Sequence, residues 1–206
     1  MLMSCTIKIR RVLFCLSLLS YSLAAHSQGF VEGQHYTVLK SPIKAASNEL
    51  TEFFSFSCPG CYAIEPSLQK LVENRDEMSL RRVHAPFGGR NAKYAQKVFV
   101  LMVLLGEERG KQAIFDRIHL ARDTFDSDQE VVRYFTDLAY DEATVSGTLR
   151  SFSADALIRK MNKEVISGQI TSVPTLIWAG KYQINLQALS DQSSLSELIT
   201  YLVSLD

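Results

Sequence analysis

Residues 54–66 read FSFSCPGCYAIEP, and this stretch decides how the rest of the chain is interpreted. Cys58 and Cys61 are separated by two residues, an aromatic run leads into them, and a helix-like sequence follows. A Cys-X-X-Cys pair can bind a metal, form a structural disulfide or exchange electrons with another pair of thiols. The sequence around the pair has to separate these three uses.

The N-terminus has the pattern of an export signal. Basic residues at positions 8, 10 and 11 precede an apolar stretch from Val12 to Ala25, and Ala25-His26-Ser27 places small residues where a signal peptidase cleaves. The apolar stretch is shorter than the roughly 20 residues of a membrane-spanning helix. We therefore predict a signal peptide over residues 1–27, cleavage near Ser27 and a mature chain that starts near Gln28.

Removal of the leader would leave Cys58 and Cys61 as the cysteines of the mature chain, since Cys5 and Cys15 belong to residues 1–27. A structural zinc site needs four ligands, and the remaining histidines show no ligand spacing. A disulfide that closes so short a loop would constrain the unfolded chain little. Redox exchange is therefore the predicted use, and no metal is expected.

The composition is that of an ordinary globular protein. The chain has 22 basic and 22 acidic residues, and the leader takes three of the basic ones, so the mature chain is slightly acidic and has no footprint for nucleic acid. Its longest apolar run, Val98–Leu105, is too short to cross a bilayer. We expect one domain, or one domain with an insertion, and no nucleic-acid partner.

The hydrophobic pattern predicts strands and helices on both sides of the cysteine pair. Strands are predicted at Tyr36–Leu39, Leu50–Phe56, Arg82–Phe87, Thr175–Trp178 and Lys181–Ile184. Helices are predicted after the pair, over Ala92–Leu105, after the capping box Ser127–Glu130, from Ala154 to Gly168 and over Leu195–Val203. Pro59 suits the first position of a helix, so Cys58 is predicted at the N-cap.

A cysteine at a helix N-terminus is suited to thiol exchange. The free backbone N–H groups and the positive end of the helix dipole stabilise an anion, so a thiolate is favoured there over a thiol. We predict that Cys58 is the exposed nucleophile with a low pKa. Cys61, one turn into the helix, would be the shielded partner that re-forms the disulfide.

The order of these segments resembles the thioredoxin fold with an all-helical insertion, and within that superfamily the DsbA family of thiol:disulfide oxidoreductases. The resemblance is carried by EFFSFSC at 52–58, CYAIE at 61–65 and SVPTLIWAGKYQI at 172–184, with HAPFGG at 84–89 as a looser match. It implies an α/β fold. Residues 28–87 and 156–206 would form the thioredoxin-like domain, and residues 88–155 the helical insertion.

The resemblance also implies roles for the residues that surround the disulfide. Pro174 would be a cis-proline that faces it, and Val173 would pair through its backbone with a substrate peptide. Pro59 and Gly60 complete the active-site loop. Gly60 departs from the pattern, because the best-known members of the family carry His there. A glycine offers the Cys58 thiolate only its backbone N–H, so we expect a weaker oxidant than a His-containing relative.

Three charged residues, Glu52, Glu65 and Arg82, match charged positions near the site of the family. A carboxylate under the disulfide can relay a proton to or from Cys61 during exchange. For Glu65 and Arg82, a solvated pair on the surface is an equally good interpretation of the sequence.

The function implied by the resemblance is that of an exported thiol oxidase, active in the periplasm without a cofactor. It would donate the Cys58–Cys61 disulfide to newly translocated, reduced proteins through a mixed disulfide at Cys58, and a DsbB-like membrane protein would reoxidise it. A monomer is expected. Two alternatives stay open, namely a disulfide reductase or isomerase on the same fold and a non-catalytic chaperone that binds peptides.

Overall fold

The computed structural model describes residues 29–107, 110–190 and 192–205, so the predicted signal peptide and its cleavage site lie outside the described residues. The strands in these ranges are β1 (Tyr36–Val38), β2 (Glu49–Phe54), β3 (Ser79–His84), β4 (Thr175–Trp178) and β5 (Tyr182–Ile184). The helices are α1 (Pro59–Glu73), α2 (Ala92–Leu105), α3 (Lys111–His119), α4 (Asp128–Asp137), α5 (Glu142–Leu149), α6 (Phe152–Ser167) and α7 (Gln192–Val203), with a 3₁₀ turn at Leu186–Ala188.

The strands form one mixed sheet in the order β1-β5-β4-β2-β3. β2 and β3 are parallel, and the other neighbouring strands are antiparallel. Since α1 connects the parallel pair, it begins directly after the carboxyl end of the interior strand β2. This crossover and the later hairpin β4–β5 form a thioredoxin-like sheet, and α2–α6 are inserted between β3 and β4. The predicted fold class is confirmed.

β3 begins and ends three residues before the predicted range Arg82–Phe87. The sequence pattern missed the beginning of β3, because the polar residues Ser79 and Arg81 are typical of a loop. In the fold β3 is an edge strand, and the Arg81 guanidinium is bound by Glu49 and Glu164, with nitrogen–oxygen distances of 2.7 Å and 2.5 Å. The strand ends where its partner β2 ends.

The hairpin between β4 and β5 turns at Ala179 and Gly180, as the sequence predicted. Both residues have a positive φ, 51° and 70°, which is the geometry of a tight turn between antiparallel strands. A Cβ atom at Gly180 would lie 2.3 Å from the Ile43 carbonyl oxygen, so the chain that leads into β2 passes directly over this turn.

Two clusters of buried side chains hold the elements together. One joins β2, β3 and α1 to the inserted helices, and it contains Cys61 together with Phe54, Phe56, Phe99 and Phe115. The other lies between the sheet, α1 and α7. In the ranges that the structure describes, no helix has the length and apolar character needed to span a membrane.

The inserted helices include two that the sequence pattern did not predict individually, α3 and α5. The predicted end of the insertion, residue 155, lies inside α6. The division of the chain into a thioredoxin-like domain and a helical insertion at residues 88–155 therefore stays a prediction.

Candidate active site

The cysteine pair lies at the start of α1. β2 ends at Phe54, and the Ser55 carbonyl oxygen accepts the Cys58 N–H at 3.0 Å, which turns the chain into the helix. Cys58 has extended backbone angles and is the N-cap of α1, as predicted, and its sulfur accepts the Cys61 N–H at 3.2 Å. Cys58 is partly exposed, Cys61 is fully buried, and both are free cysteines.

This arrangement moves the pKa values of the two thiols in opposite directions. The pKa of Cys58 is lowered to about 6, mainly by a hydrogen bond from the Cys61 thiol and further by the backbone N–H groups of Cys61 and Gly60, against the effect of burial. The pKa of Cys61 is raised by that same hydrogen bond, by burial and by the charges of Cys58 and Glu52. The thiolate of the reduced pair is therefore on Cys58.

The segment Val173-Pro174 faces the pair from across the site. Its peptide bond is cis, and the Cys58 sulfur lies 3.4 Å from the Val173 carbonyl oxygen. Gly60 approaches the same segment so closely that a Cβ atom there would be 3.1 Å from Pro174 Cδ. The active-site loop, with exposed Pro59 and Gly60, and the Val173-Pro174 segment therefore form the two sides of one opening at Cys58.

A groove of about 1080 Å³ continues from this opening along α1 and β5. Gly60, Val173 and Pro174 form its end at the cysteine pair, and the segment 185–190 closes its far side. Its lining consists of small, amide and aliphatic side chains, and no charged residue contributes to it among the described residues. The groove can accept a peptide segment without selecting for its charge.

The three charged residues named from the sequence form one cluster below the cysteines. Glu52 of β2 and Glu65 of α1 are buried, and the Arg82 guanidinium lies between them, 2.9 Å from Glu52 Oε2 and 3.2 Å from Glu65 Oε1. A fourth residue, Lys111 of α3, donates to Glu65 Oε1 at 2.5 Å. The alternative of a solvated surface pair for Glu65 and Arg82 is wrong, because Glu65 is fully buried and the Arg82 side chain is only 18% exposed.

Glu52 is the member of this cluster that can exchange a proton near neutral pH. Burial raises its pKa to about 7, although the neighbouring Arg82 lowers it. Its second oxygen, Oε1, is buried and has no hydrogen-bond partner among the described residues. Since the charge of Glu52 contributes to the raised pKa of Cys61, the two groups are electrostatically linked.

Two histidines hold the backbone that leads into Cys58. The Phe56 N–H donates to His84 Nε2 at 3.1 Å, and the Phe56 carbonyl oxygen lies 2.8 Å from His119 Nε2, which must carry the hydrogen. His84 is fully buried, and burial lowers its pKa to about 3, so it is neutral. His119 comes from α3 and stacks on the Tyr62 ring, with 4.9 Å between the ring centroids.

Gly88 supports the same loop from the segment after β3. Its φ of +112° is unfavourable for other residues, and a Cβ atom would lie 2.5 Å from Ser57 Cβ. Ser55 Oγ in turn donates to the Phe87 carbonyl oxygen at 2.6 Å and accepts the Ser57 N–H. The segment HAPFGG thus contacts the loop that carries Cys58.

The structure brings together every residue that the sequence singled out for the site. His84, which opens the HAPFGG segment, and two residues that the sequence did not point to, Lys111 and His119, complete it. Lys111 and His119 both come from α3, about 50 residues after the cysteines, and no local pattern relates them to the pair. Only the fold places them at the base and the entry of the active-site loop.

Comparisons with known proteins agree with this geometry. A sequence model of the DSBA-like thioredoxin domain matches residues 49–202. The chain is similar to the thiol:disulfide interchange protein DsbA of Pseudomonas aeruginosa, with 26% identity over 187 residues, 89% of each protein. It is also similar to that of Azotobacter vinelandii, with 28% identity over 175 residues, 83% of this chain and 82% of the relative.

Solved structures show the same similarity. The crystal structure of Pseudomonas aeruginosa DsbA aligns with a TM-score of 0.77 and 25% identity, covering 87% of this chain and 95% of that chain. A DsbA oxidoreductase from N. meningitidis aligns with a TM-score of 0.70 and 28% identity, covering 86% and 94%.

Proposed function

Since the chain belongs to the family of DSBA-like thioredoxin domains and is a thiol:disulfide oxidoreductase, we propose that it is an exported dithiol oxidase that donates the Cys58–Cys61 disulfide to newly translocated proteins. The observation that carries the proposal is the asymmetry of the two thiols, with Cys58 partly exposed at the helix N-cap with a pKa of about 6 and Cys61 buried with a raised pKa.

This asymmetry sets the direction of electron flow. A thiolate of the substrate attacks the Cys58 sulfur, a substrate–Cys58 disulfide forms, and the Cys58–Cys61 bond breaks. Cys61 leaves with the electron pair and takes up a proton. The second substrate thiolate then attacks the substrate sulfur of the mixed disulfide, and Cys58 leaves as a stabilised thiolate. The substrate loses two electrons and the protein gains two.

We assign the exchange of the Cys61 proton to Glu52. Cys61 is fully buried, so a proton cannot reach it directly from solvent. With a pKa of about 7, Glu52 can hold or release a proton at the pH at which the pair reacts. Arg82 binds Glu52, and Glu65 in turn binds Arg82, so we assign both a positioning role.

Substrate binding is assigned to the groove and to the backbone of Val173. The Val173 carbonyl lies beside the Cys58 sulfur, so an extended segment that bonds to this backbone would bring its own cysteine to Cys58. Recognition through backbone atoms and an uncharged groove suits substrates of varied sequence. Unfolded or reduced secreted proteins have such extended segments.

Turnover needs an electron acceptor that reoxidises the dithiol, and we propose a DsbB-like membrane protein for this step.

The basic and apolar residues of the leader support export to the periplasm, with cleavage near Ser27. N-terminal sequencing of the protein recovered from the periplasm should find a start near Gln28. A folded protein that still begins at Met1 would contradict the export. We expect the oxidase to act as a monomer, which its mass in solution would test.

A Cys61→Ser variant tests the proposed mechanism. This variant has no disulfide to donate, so its Cys58 thiolate attacks a disulfide of an oxidised substrate and one substrate thiolate leaves. Without the Cys61 thiol to displace the substrate, the mixed disulfide should accumulate on Cys58 and be found there by mass spectrometry, and a matched Cys58→Ser variant should trap none. Adducts on Cys61 of the wild type would reverse the assignment.

The pair should be oxidised in intact cells, whereas a reductase or isomerase would be kept reduced. A chaperone would retain its activity in Cys58→Ser, and an oxidase would not.

A further inference from the structure

A second depression of about 930 Å³ opens on the other side of the active-site loop. Ser57 and Pro59 form the wall that it shares with the cysteine pair. The segment 88–91 and the end of α3 with the segment that follows form the other walls. Cys58 is thus flanked by two depressions, the uncharged groove next to Gly60 and this one, which we call the basic cleft.

The charges of the basic cleft distinguish it from the groove. Arg90 and Arg122 line it, both are exposed, and neither has a hydrogen-bond or ion-pair partner in the part of the chain that the structure describes. Asp126 is the one carboxylate in the described lining, and His119 contributes an imidazole at the inner end. The carboxylate of the neighbouring Asp123 forms an ion pair with Arg117 at 3.0 Å, so it does not neutralise Arg90 and Arg122.

An extended substrate that occupies the groove and places its cysteine at Cys58 must continue past the loop on one side. The surface next along that path is the wall formed by Ser57 and Pro59, which belongs to the basic cleft. A carboxylate suits this place, because a guanidinium presents several donors in a plane and can bind both carboxylate oxygens. The guanidinium donors of Arg90 and Arg122 are available for such a carboxylate, because no described residue binds them.

We propose that the basic cleft is a second substrate-binding surface, which takes an acidic side chain located within a few residues of the reactive cysteine of the substrate polypeptide. This inference rests on the proposed oxidase function and adds a charge preference to it. Exposed charges of this kind act mainly on the rate of encounter and on discrimination between substrates, and salt screens them.

The test uses the oxidised full mature chain and synthetic peptides that contain two cysteines. One peptide carries Gln on both sides of the first cysteine, and the others replace one Gln with Glu, either before or after it. For one of the two Glu peptides we expect a kcat/KM about 3- to 10-fold higher than that of the Gln peptide. This preference should become smaller at high salt. In the double variant Arg90→Gln/Arg122→Gln the Glu-over-Gln ratio should fall to about one.

A charge-matched control is Arg150→Gln/Arg159→Gln, since these exposed arginines do not line the cleft. It should keep the Glu-over-Gln ratio of the wild type. Equal rates for all peptides with the wild type, or a preference that survives in Arg90→Gln/Arg122→Gln, would overturn the charge preference and leave the oxidase standing. Failure of the wild type to oxidise any of the peptides would overturn the oxidase itself.

Discussion

The low pKa of Cys58 makes the stability of the reduced protein depend on pH. The ordinary pKa of the thiol is 9.0, and in the folded protein it is about 6. A group whose pKa is depressed by folding contributes stability that is fully present above the unfolded pKa and is lost as the pH falls through the folded pKa. From these two pKa values, proton linkage predicts that Cys58 adds about 1.4 kcal/mol to the free energy of unfolding at about pH 7 and almost nothing at about pH 5. Cys58 is partly exposed, and solvent screening lowers the expected contribution to about 1 kcal/mol.

The assay is urea unfolding of the reduced wild type and of reduced Cys58→Ser at a series of pH values. Serine is a suitable control because its hydroxyl can still accept the Cys61 N–H as an N-cap but does not ionise in this range. The free energy of unfolding of the wild type should gain about 1 kcal/mol on that of the variant between about pH 5 and pH 7. A difference that stays constant over this interval would refute the claim that the fold favours the Cys58 thiolate.

Three further predictions concern the residues around the pair. Gly60→His should lower the pKa of the nucleophilic thiol and raise the reduction potential measured against glutathione. Gly60→Ala is its control, because any Cβ there meets Pro174 Cδ at 3.1 Å, and an equal effect in both variants would point to packing instead of the imidazole. Glu52→Gln should slow peptide oxidation on the order of 10-fold and remove the step near pH 7 from its pH profile, and a step that persists would exclude Glu52 as its source. Lys111→Met removes a charge that lowers the pKa of Glu52, so the same step should move to higher pH. Urea unfolding should show a loss of about 1–3 kcal/mol, because the buried Glu65 carboxylate loses one hydrogen-bond donor and keeps Arg82. If the step stays at the same pH in Lys111→Met, Lys111 does not influence the proton exchange.

The sequence predicted the centre of the site because its signals are local. Cys58, Pro59 and Cys61 lie on one helical turn, and the strand before them ends at the same place in the sequence and in the structure within two residues. The capping box at Ser127 is also local. Its hydroxyl accepts the Glu130 N–H as expected, although the Glu130 carboxylate reaches the Asp126 N–H, one residue before the N-cap.

What the sequence missed depends on tertiary contacts. α5 has Ser, Gly and two Thr in eight residues and buries only Val145 and Leu149, so it has no apolar stripe to recognise. Lys111 reads as an exposed lysine until α3 is placed against α1, where burial lowers its pKa and Glu65 binds it. The start of β3 was hidden for a similar reason, because the polar side chain of Arg81 has partners from other elements.

The contacts between α3 and the thioredoxin-like part also bear on whether that part could serve as a minimal enzyme. Lys111 binds Glu65, Asp116 accepts the Tyr62 hydroxyl at 2.8 Å, and His119 holds the backbone just before Cys58. Excision of the inserted helices would leave a buried carboxylate without its lysine, a tyrosine without its acceptor and a catalytic loop without one of its two anchors. An engineer who transplants this active site must therefore transplant α3 with it, because the insertion is a structural part of the reactive centre.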